Sequence, residues 1–365
     1  MGAAQASYDV LILGAGPAGC ATALGLSASG VKRVLLVDKP LALPFRIGES
    51  ATPDVAGLLS GLGLEQRLDR MGHLPYHGNL SMWGSEVPRL DHFLRRGRGN
   101  GWHLDRAAFD SWLRQEAEAQ GAQLAADSGI GSIAPRDGGW QVTLRDKRDV
   151  SARVVVDAAG RRSPLATRLG ARRWQVDNLL ALAAHTDSAS DMAGLSLAES
   201  CADGWWYATG LPDGRALVTL MTDSDIAKAQ RFDEPASFLR AWRNTRLLAA
   251  YLKPPSACPP INVFAAHSGF IERAAGKGWI AVGDALMGMD PLTSSGISGA
   301  LSDARAAVPA ILEQLDGNSG AACDYAKRAN STLKRYLNER RRHYSSERRW
   351  TNRPFWSRRV HHEKK

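Results

Sequence analysis

The sequence predicts an α/β fold in which a parallel sheet built from βαβ units is interleaved with a second, antiparallel sheet and closed by helices. Three observations carry this. In "YDVLILGAGPAGCATALGLSASG" a buried strand, a glycine turn and a helix succeed one another, and "VKRVLLVDK" follows as a parallel strand ending in an acid. Residues 171–269 change to longer strands, "NLLALAAHTD", "SLAESCADGWWYATGLPDG" and "RALVTLMTD", with Pro-Asp-Gly at a turn. From "GKGWIAVGDA" the pattern rejoins the first type and ends in helices.

The remaining elements follow in order. "GWHLDRAAFDSWLRQEAEAQG" reads as an amphipathic helix opened by Asp105, and "SGIGSIAPRDGG", "WQVTLRD" and "SARVVVDAAG" as a small antiparallel meander that returns to the parallel sheet. A helix starting near Pro235 interrupts the second sheet. Residues 1–75, 101–170 and 270–330 are assigned to a nucleotide-binding domain, 76–100 and 171–269 to a substrate-facing domain, and 331–365 to a basic helical tail.

At 365 residues with 44% apolar content, the chain can bury a substantial core in two lobes. Its cysteines, Cys20, Cys201, Cys258 and Cys323, lie far apart without a CxxC pair, which argues against a zinc ribbon or a disulfide framework and suits a reducing compartment. The opening residues lack a basic n-region and "VLIL" is too short to span a bilayer, so a cytoplasmic protein with no transmembrane segment is expected. Much of the +9 net charge lies in the tail, where arginines mix with Trp350, Phe355 and Trp356. Two readings of that tail stay open: aromatics docked on the body, or a basic face for an acidic partner protein. No zinc-finger or RRM signature supports nucleic acid, and none is expected as a partner.

Gly14, Gly16 and Gly19 form G-A-G-P-A-G between a strand and a helix, and Asp38 ends the next strand nineteen residues after Gly19. This is the Rossmann-like dinucleotide arrangement. Gly14 permits the tight turn, Gly16 lets a pyrophosphate approach the backbone, Gly19 lets helix and strand pack closely, and Asp38 accepts from a ribose hydroxyl. Pro17, Ala18 and Lys39 belong to the same loop ends. Farther along, "VVVDAAGRRSPLA" and "GDALMGMDP" each end a strand with an Asp, on strands able to join one sheet. A carboxylate at a strand end beside a helix start, Asp284 after Gly283, suits a sugar alcohol and an electron-rich ring. NAD has no ribitol and FAD has one, so FAD is the expected cofactor, with Asp284 rather than Asp290 as its anchor.

At these residues the chain resembles the flavoprotein monooxygenases of the para-hydroxybenzoate hydroxylase fold, whose three fingerprints here read GAGPAG, DAAGRRS and GDALMGMDP. The second carries an extra alanine between Asp157 and Gly160. The resemblance implies a Rossmann-like FAD-binding domain of that type, with Asp284 on the ribitol and the turn from Pro291 through Gly296 to Ile297 presenting backbone N–H groups to the flavin. It also implies that Arg106 in "HLDRAAFD" helps hold the cofactor.

"FRIGESATP", with Arg46, Glu49 and Ser50, is similar to the segment that tryptophan halogenases place along the flavin, which implies Glu49 as the catalytic residue; its alternative is a cap for the helix of "DVAGLLSGLGL". Two features depart from halogenases. Their Trp-x-Trp-x-Ile-Pro segment reads "GWWYATGLP" here, and their lysine has no counterpart in "LPYHGNLSMWGS". "GWHLDRAAFD", "DGWWYATGLPDGR" and "RRHYSSERRWTNRPFW" resemble the branch of lysine-oxidase and glycine-oxidase maturases, flavoproteins implicated in building a tryptophylquinone inside a partner enzyme.

The resemblance implies an FAD monooxygenase acting on an indole, with a tryptophan of a quinoprotein oxidase precursor as the substrate. A halogenase, a small-molecule hydroxylase and an isoprenoid-type flavin reductase remain alternatives. The electrons come from NAD(P)H or from a separate flavin reductase. Trp205 and Trp206 are candidates to wall the pocket, and His73, His77 and His103 are candidate bases.

Overall fold

The computed structural model describes residues 6–39, 47–64, 68–97, 99–187, 192, 194–318 and 320–360. Five parallel strands form the heart of the first sheet, in the order Trp279–Ala281, Asp149–Asp157, Ala6–Leu13, Val34–Val37 and Gln123–Ala125. Register aligns Leu13 with Val37 on one side and with Asp157 on the other, and Asp157 with Ala281. The glycine turn, Asp38, the loop after Asp157 and the Gly283–Ala285 turn therefore all leave the sheet along one rim, the carboxyl ends of its strands. In open α/β sheets that rim is where ligands bind.

The meander is present as the sequence predicts: Ile130–Arg136 pairs antiparallel with Gly139–Leu144, which pairs antiparallel with the first half of Asp149–Asp157. The second sheet has seven strands, ordered Asn262–Ala265, Leu179–Thr186, Ala216–Asp223, Gly204–Gly210, Leu195–Cys201, Gly78–Met82 and Arg89–His92. One pairing within it, Leu195–Cys201 with Gly78–Met82, is parallel. A short three-stranded sheet ties Ser50–Ala51 to Gly101–His103 and Leu74–Tyr76.

The helix Arg106–Ala119 starts where expected, because the Asp105 carboxylate accepts from the Ala108 N–H at 2.9 Å and caps the first turn. Phe109, Leu113 and Ala117, four residues apart, give it its buried stripe. Helices Pro17–Ala28 and Gly296–Leu315 pack side by side; a Cβ on Gly25 would stand 2.8 Å from a Val308 methyl, so glycine sets the spacing. A helix begins at Pro235, as read. Cys20 is buried, Cys201 and Cys258 are half-buried, Cys323 is exposed, and all four thiols are free.

Helix Gly320–Ser346 runs unbroken through residue 331, the boundary drawn from charge. Its Tyr336, Arg340 and Tyr344 are buried, as are Phe355, Trp356 and Arg359 of the helix Pro354–Val360. Trp356 donates its indole N–H to the Cys201 carbonyl at 2.8 Å, and Arg359 pairs with Asp223 at 2.6 Å. Glu347, fully buried, accepts from the Ser200 hydroxyl at 2.5 Å and the Gly84 N–H at 2.8 Å. Of the two readings of the tail, the aromatics dock on the body. Arg341, Arg342 and Arg348 leave their charge on the surface.

Trp356→Ala is expected to cost about 3–5 kcal/mol of stability, the scale for emptying a fully buried aromatic site. Arg341→Ala is expected to stay within about 0.5 kcal/mol. Denaturant unfolding of both variants checks the pair, and a tolerant Trp356 site contradicts the packing described.

Candidate active site

The glycine turn is shaped by two close approaches. Gly14 has φ +105°, and a Cβ there would meet the Ala158 carbonyl oxygen at 2.3 Å; one on Gly19 would meet the Gly14 carbonyl oxygen at 1.9 Å. Apart from its chain neighbours, no atom of the described residues lies within 4 Å of where a Cβ on Gly16 would stand, so the backbone is open to a ligand. Helix Pro17–Ala28 begins here with no side-chain cap and no acidic residue in its first turn. Asp38 closes the adjoining end: it accepts from the Ala15 N–H at 3.1 Å and the Lys39 N–H at 2.8 Å, and it pairs with Arg114. Arg114 also donates to the Ala15 carbonyl at 2.9 Å and so clamps the glycine turn to the acid.

At the other end of the rim, Asp284 stands on a single turn after the strand Trp279–Ala281. Its side chain is 39% exposed and pairs with Arg161 at 3.3 Å. Arg161 in turn donates to the carbonyls of His267 at 2.5 Å and Met289 at 2.8 Å, which fixes the loop after Asp157 against the Asp284 turn. Asp157 itself is buried and accepts from the N–H groups of Ala159, Leu165 and Ala166, so it organises that loop rather than facing a ligand. Helix Gly296–Leu315 opens with no side-chain cap and no acid in its first turn, and Gly296, like Gly16, has open space where a Cβ would be. Asp290 is buried: it accepts from Leu292 N–H at 3.0 Å, Tyr344 hydroxyl at 2.7 Å and Arg340 at 3.3 Å.

One cavity of about 430 Å³ joins these ends to the second sheet. Its wall includes Gly16, Pro17, Ala18, Glu49, Ser50, Arg106, Asp284, Pro291, Gly296 and Ile297, ten of the residues singled out from the sequence. The second sheet contributes Trp205, Tyr207, Leu217 and Phe264. Gly14, Gly19, Asp38, Lys39 and Gly283 stand behind the wall and shape the loops; Arg46 lies outside the described residues.

Glu49 does not cap the following helix, whose N-cap is Pro53. Its carboxyl is buried, one oxygen accepting from the Gly48 N–H at 2.9 Å while Oε1 has no partner. Burial pushes its pKa up to about 7. Arg106 donates to the carbonyls of Ile47 at 2.9 Å and Gly48 at 3.1 Å and pairs with Asp110 at 3.2 Å, holding the segment that carries Glu49.

Of the tryptophan pair, Trp205 lines the cavity and Trp206 does not, because neighbouring strand residues face opposite ways; Trp206 packs edge-on against Phe238, ring centroids 5.1 Å apart. None of the three candidate histidines lines the cavity. His103 reaches it through Ser50: its Nδ1 lies 3.0 Å from the Ser50 hydroxyl, which lies 2.5 Å from the Tyr207 hydroxyl. Burial drives its pKa down to about 3, so the ring is neutral. His73 accepts from the Asp105 N–H at 3.2 Å, and His77 lies 3.0 Å from the Asn100 side-chain oxygen. Among the described residues, no cluster of His, Cys, Asp or Glu could hold a metal ion.

The tryptophan halogenase family model matches residues 9–73 and 95–365. The chain belongs to the tryptophan halogenase family. Within this family's range of relatives, LodB of Marinomonas mediterranea, a putative FAD-dependent oxidoreductase, is 31% identical over 362 residues, covering 97% of each chain. The peptidyl tryptophan dihydroxylase QhpG, essential for tryptophylquinone cofactor biogenesis, is 27% identical, with a TM-score of 0.78 over 97% of this chain and 79% of its own. The myxobacterial chondrochloren halogenase CndH, 24% identical, superposes with a TM-score of 0.88 over 97% of this chain and 86% of its own, which shows the shared fold. The residues fit the family's flavin cofactor on their own chemistry: two open glycines, two uncapped helix ends and a half-exposed carboxylate border a single cavity. No described helix is long and apolar enough to cross a membrane.

Asp284→Ala is expected to weaken FAD binding by about 1.5–3 kcal/mol, the scale of a hydrogen bond to a charged group. Asp290→Ala is expected instead to lower stability by about 3–5 kcal/mol, since it breaks a buried ion pair. Titrating FAD into each cofactor-free variant and melting it separates the two; equal losses of FAD affinity contradict the assignment.

Proposed function

We propose that this FAD-dependent oxidoreductase is a monooxygenase that hydroxylates an indole, carried as a tryptophan residue of a partner protein whose tryptophylquinone it helps to build. The observation that carries this reading is the single cavity in which the flavin cradle meets an aromatic wall, Trp205, Tyr207 and Phe264, on the second sheet. Resemblance to LodB across nearly the whole chain supports the FAD-dependent oxidoreductase class, and resemblance to the peptidyl tryptophan dihydroxylase QhpG supports the choice of substrate.

In this reading the first-turn N–H groups after Gly16 take the pyrophosphate, Asp38 the adenosine ribose, Asp284 the ribitol, and the turn Pro291–Ile297 the electron-rich edge of the ring. When bound and reduced, FAD supplies the two electrons with which one oxygen atom of O2 enters a ring C–H bond and the other leaves as water. Leu217, Met221 and Phe264 keep water out of the substrate end. Glu49 Oε1, unpartnered and balanced near neutrality, takes the proton that the substituted ring must lose to regain aromaticity. Arg106 is a positioning residue, because it holds the Ile47–Gly48 backbone.

Halogenation is the second reading, favoured by the resemblance to halogenases such as CndH. Against it, no lysine stands among the described residues of the cavity wall. Supplying reductant, O2 and bromide with a tryptophan-bearing partner is expected to add oxygen and no bromine to one tryptophan, read by mass spectrometry. Bromotryptophan would reverse the order of the two readings.

Glu49 gives a pH test. As a base it works ionised, so the rate of oxygen addition is expected to rise through about pH 7 and level off above. Glu49→Gln is expected to lower the plateau by about a hundredfold and to remove that limb. In the cofactor-free protein the raised pKa favours the fold at low pH; this contribution is lost between the ordinary 4.5 and about 7. Melting temperatures of Glu49→Gln are therefore expected to gain on the wild type across that window, and a constant difference would contradict the burial of this carboxyl.

A further inference from the structure

The seven-stranded sheet ends in two edges of different character. Arg89–His92, at one end, reads Arg-Leu-Asp-His and carries the charge with which natural edge strands avoid pairing. Asn262–Ala265, at the other, reads Asn-Val-Phe-Ala, with no charge and no proline, and its Val263 is 51% exposed. Among the described residues no further strand pairs with this edge, and it adjoins the active site, since both Phe264 and Ala265 line the cavity.

The direction of its backbone groups follows from register. Ala265 stands opposite Leu180, and the Ala266 N–H donates to the Leu179 carbonyl at 3.0 Å. The hydrogen-bonded positions toward the sheet are thus Ala266 and Phe264, and the N–H and C=O groups of Val263 and Ala265 point to the free side. Side chains alternate: Val263 faces solvent, and Phe264 packs against the cluster of Ala183, Leu211 and Leu217.

We propose that an extended peptide carrying the target tryptophan adds to this edge as an antiparallel strand, with the tryptophan directly opposite Phe264. This rests on the protein-substrate reading above and names its mode of recognition. Opposite Phe264 the pair is a non-hydrogen-bonded one, in which facing side chains lie closest and share one face of the sheet. The indole is thereby directed toward the cavity that Phe264 lines. The residues on either side of the tryptophan bond to the backbones of Val263 and Ala265, so main-chain groups hold the substrate and neither flanking residue is proline. Recognition by backbone also explains how a tryptophan can be chosen without a charged side-chain contact at this edge.

The test uses the FAD-loaded full chain and an acetylated, amidated pentapeptide with a central tryptophan flanked by valines. Calorimetric titration is expected to show binding, and hydrogen exchange is expected to show new protection of the amides of Val263 and Ala265. Methylating the amide nitrogens of the two residues adjoining the tryptophan is expected to weaken binding about tenfold. Val263→Pro removes an outward N–H and leaves the pairing to Leu179–Thr186 intact, and it is expected to have the same effect with FAD content unchanged. Should that variant fold poorly, the methylated peptide tests the wild type directly. No binding by the wild type, equal binding of both peptides, or protection confined to other residues overturns strand addition. If free indole is oxygenated while the edge shows no role, the monooxygenase reading stands alone. If the peptide protects the edge but no indole gains oxygen, strand addition stands and the chemistry fails.

Discussion

Two helix ends open side by side on one cavity, and neither is capped by a side chain. An α-helix leaves its first N–H groups without intrahelical partners, and an interior helix end normally satisfies them from Ser, Thr, Asp or Asn. Here the first-turn donors of Pro17–Ala28 and Gly296–Leu315 look instead toward shared space. Much of the surrounding structure serves to keep them there: glycine at position 25 sets the spacing of the two helices, Arg114 clamps one loop to Asp38, and Arg161 braces the other. A ligand that carries negative charge at one end and an electron-rich ring at the other satisfies both ends at once.

The second sheet meets this frame through few residues. Ser50 stands at the junction, paired across a short strand to His103 and bonded to Tyr207 on the second sheet. The neutral His103 ring, with its Nδ1 within 3.0 Å of both Ser50 and Thr209, orients hydroxyls rather than carrying charge into an apolar space. Among the described residues of the cavity wall, Glu49 beside it is the one buried carboxyl whose oxygen lacks a partner, a cost that a purely structural residue has no reason to bear.

The parts legible in the sequence are those fixed by local chemistry. The glycine turn, Asp38 and the strand-end Asp284 each sit at a defined step of a strand–turn–helix unit, so spacing alone brings them to one rim. Arg114 escaped notice because its partner Asp38 lies 76 positions away, on an element whose helical periodicity says only that the residue faces inward. Arg161 lies within a recognised motif, but nothing in "GRRS" tells which arginine turns toward Asp284. Trp205 and Trp206 are indistinguishable until the register of their strand is known, since alternation sends one each way. The tail's composition left two readings open, docked aromatics or a docking face, and the burial of Arg340, Arg359, Phe355 and Trp356 selects the first.

Asp290 adjoins Pro291, where the turn into helix Gly296–Leu315 begins, and it is held by Arg340 and Tyr344, while its N–H donates to the Tyr336 hydroxyl at 2.7 Å. Residues 336–344 are made after every residue of the cavity wall. On the ribosome, the first glycine turn and the strands beside it emerge early and can pair, but the contacts of Tyr336, Arg340 and Tyr344 to Asp290 form only when this late helix arrives. The order of synthesis thus separates an early, half-built cleft from a completed one, in which the last long helix fixes the Asp290 side of the turn at Pro291.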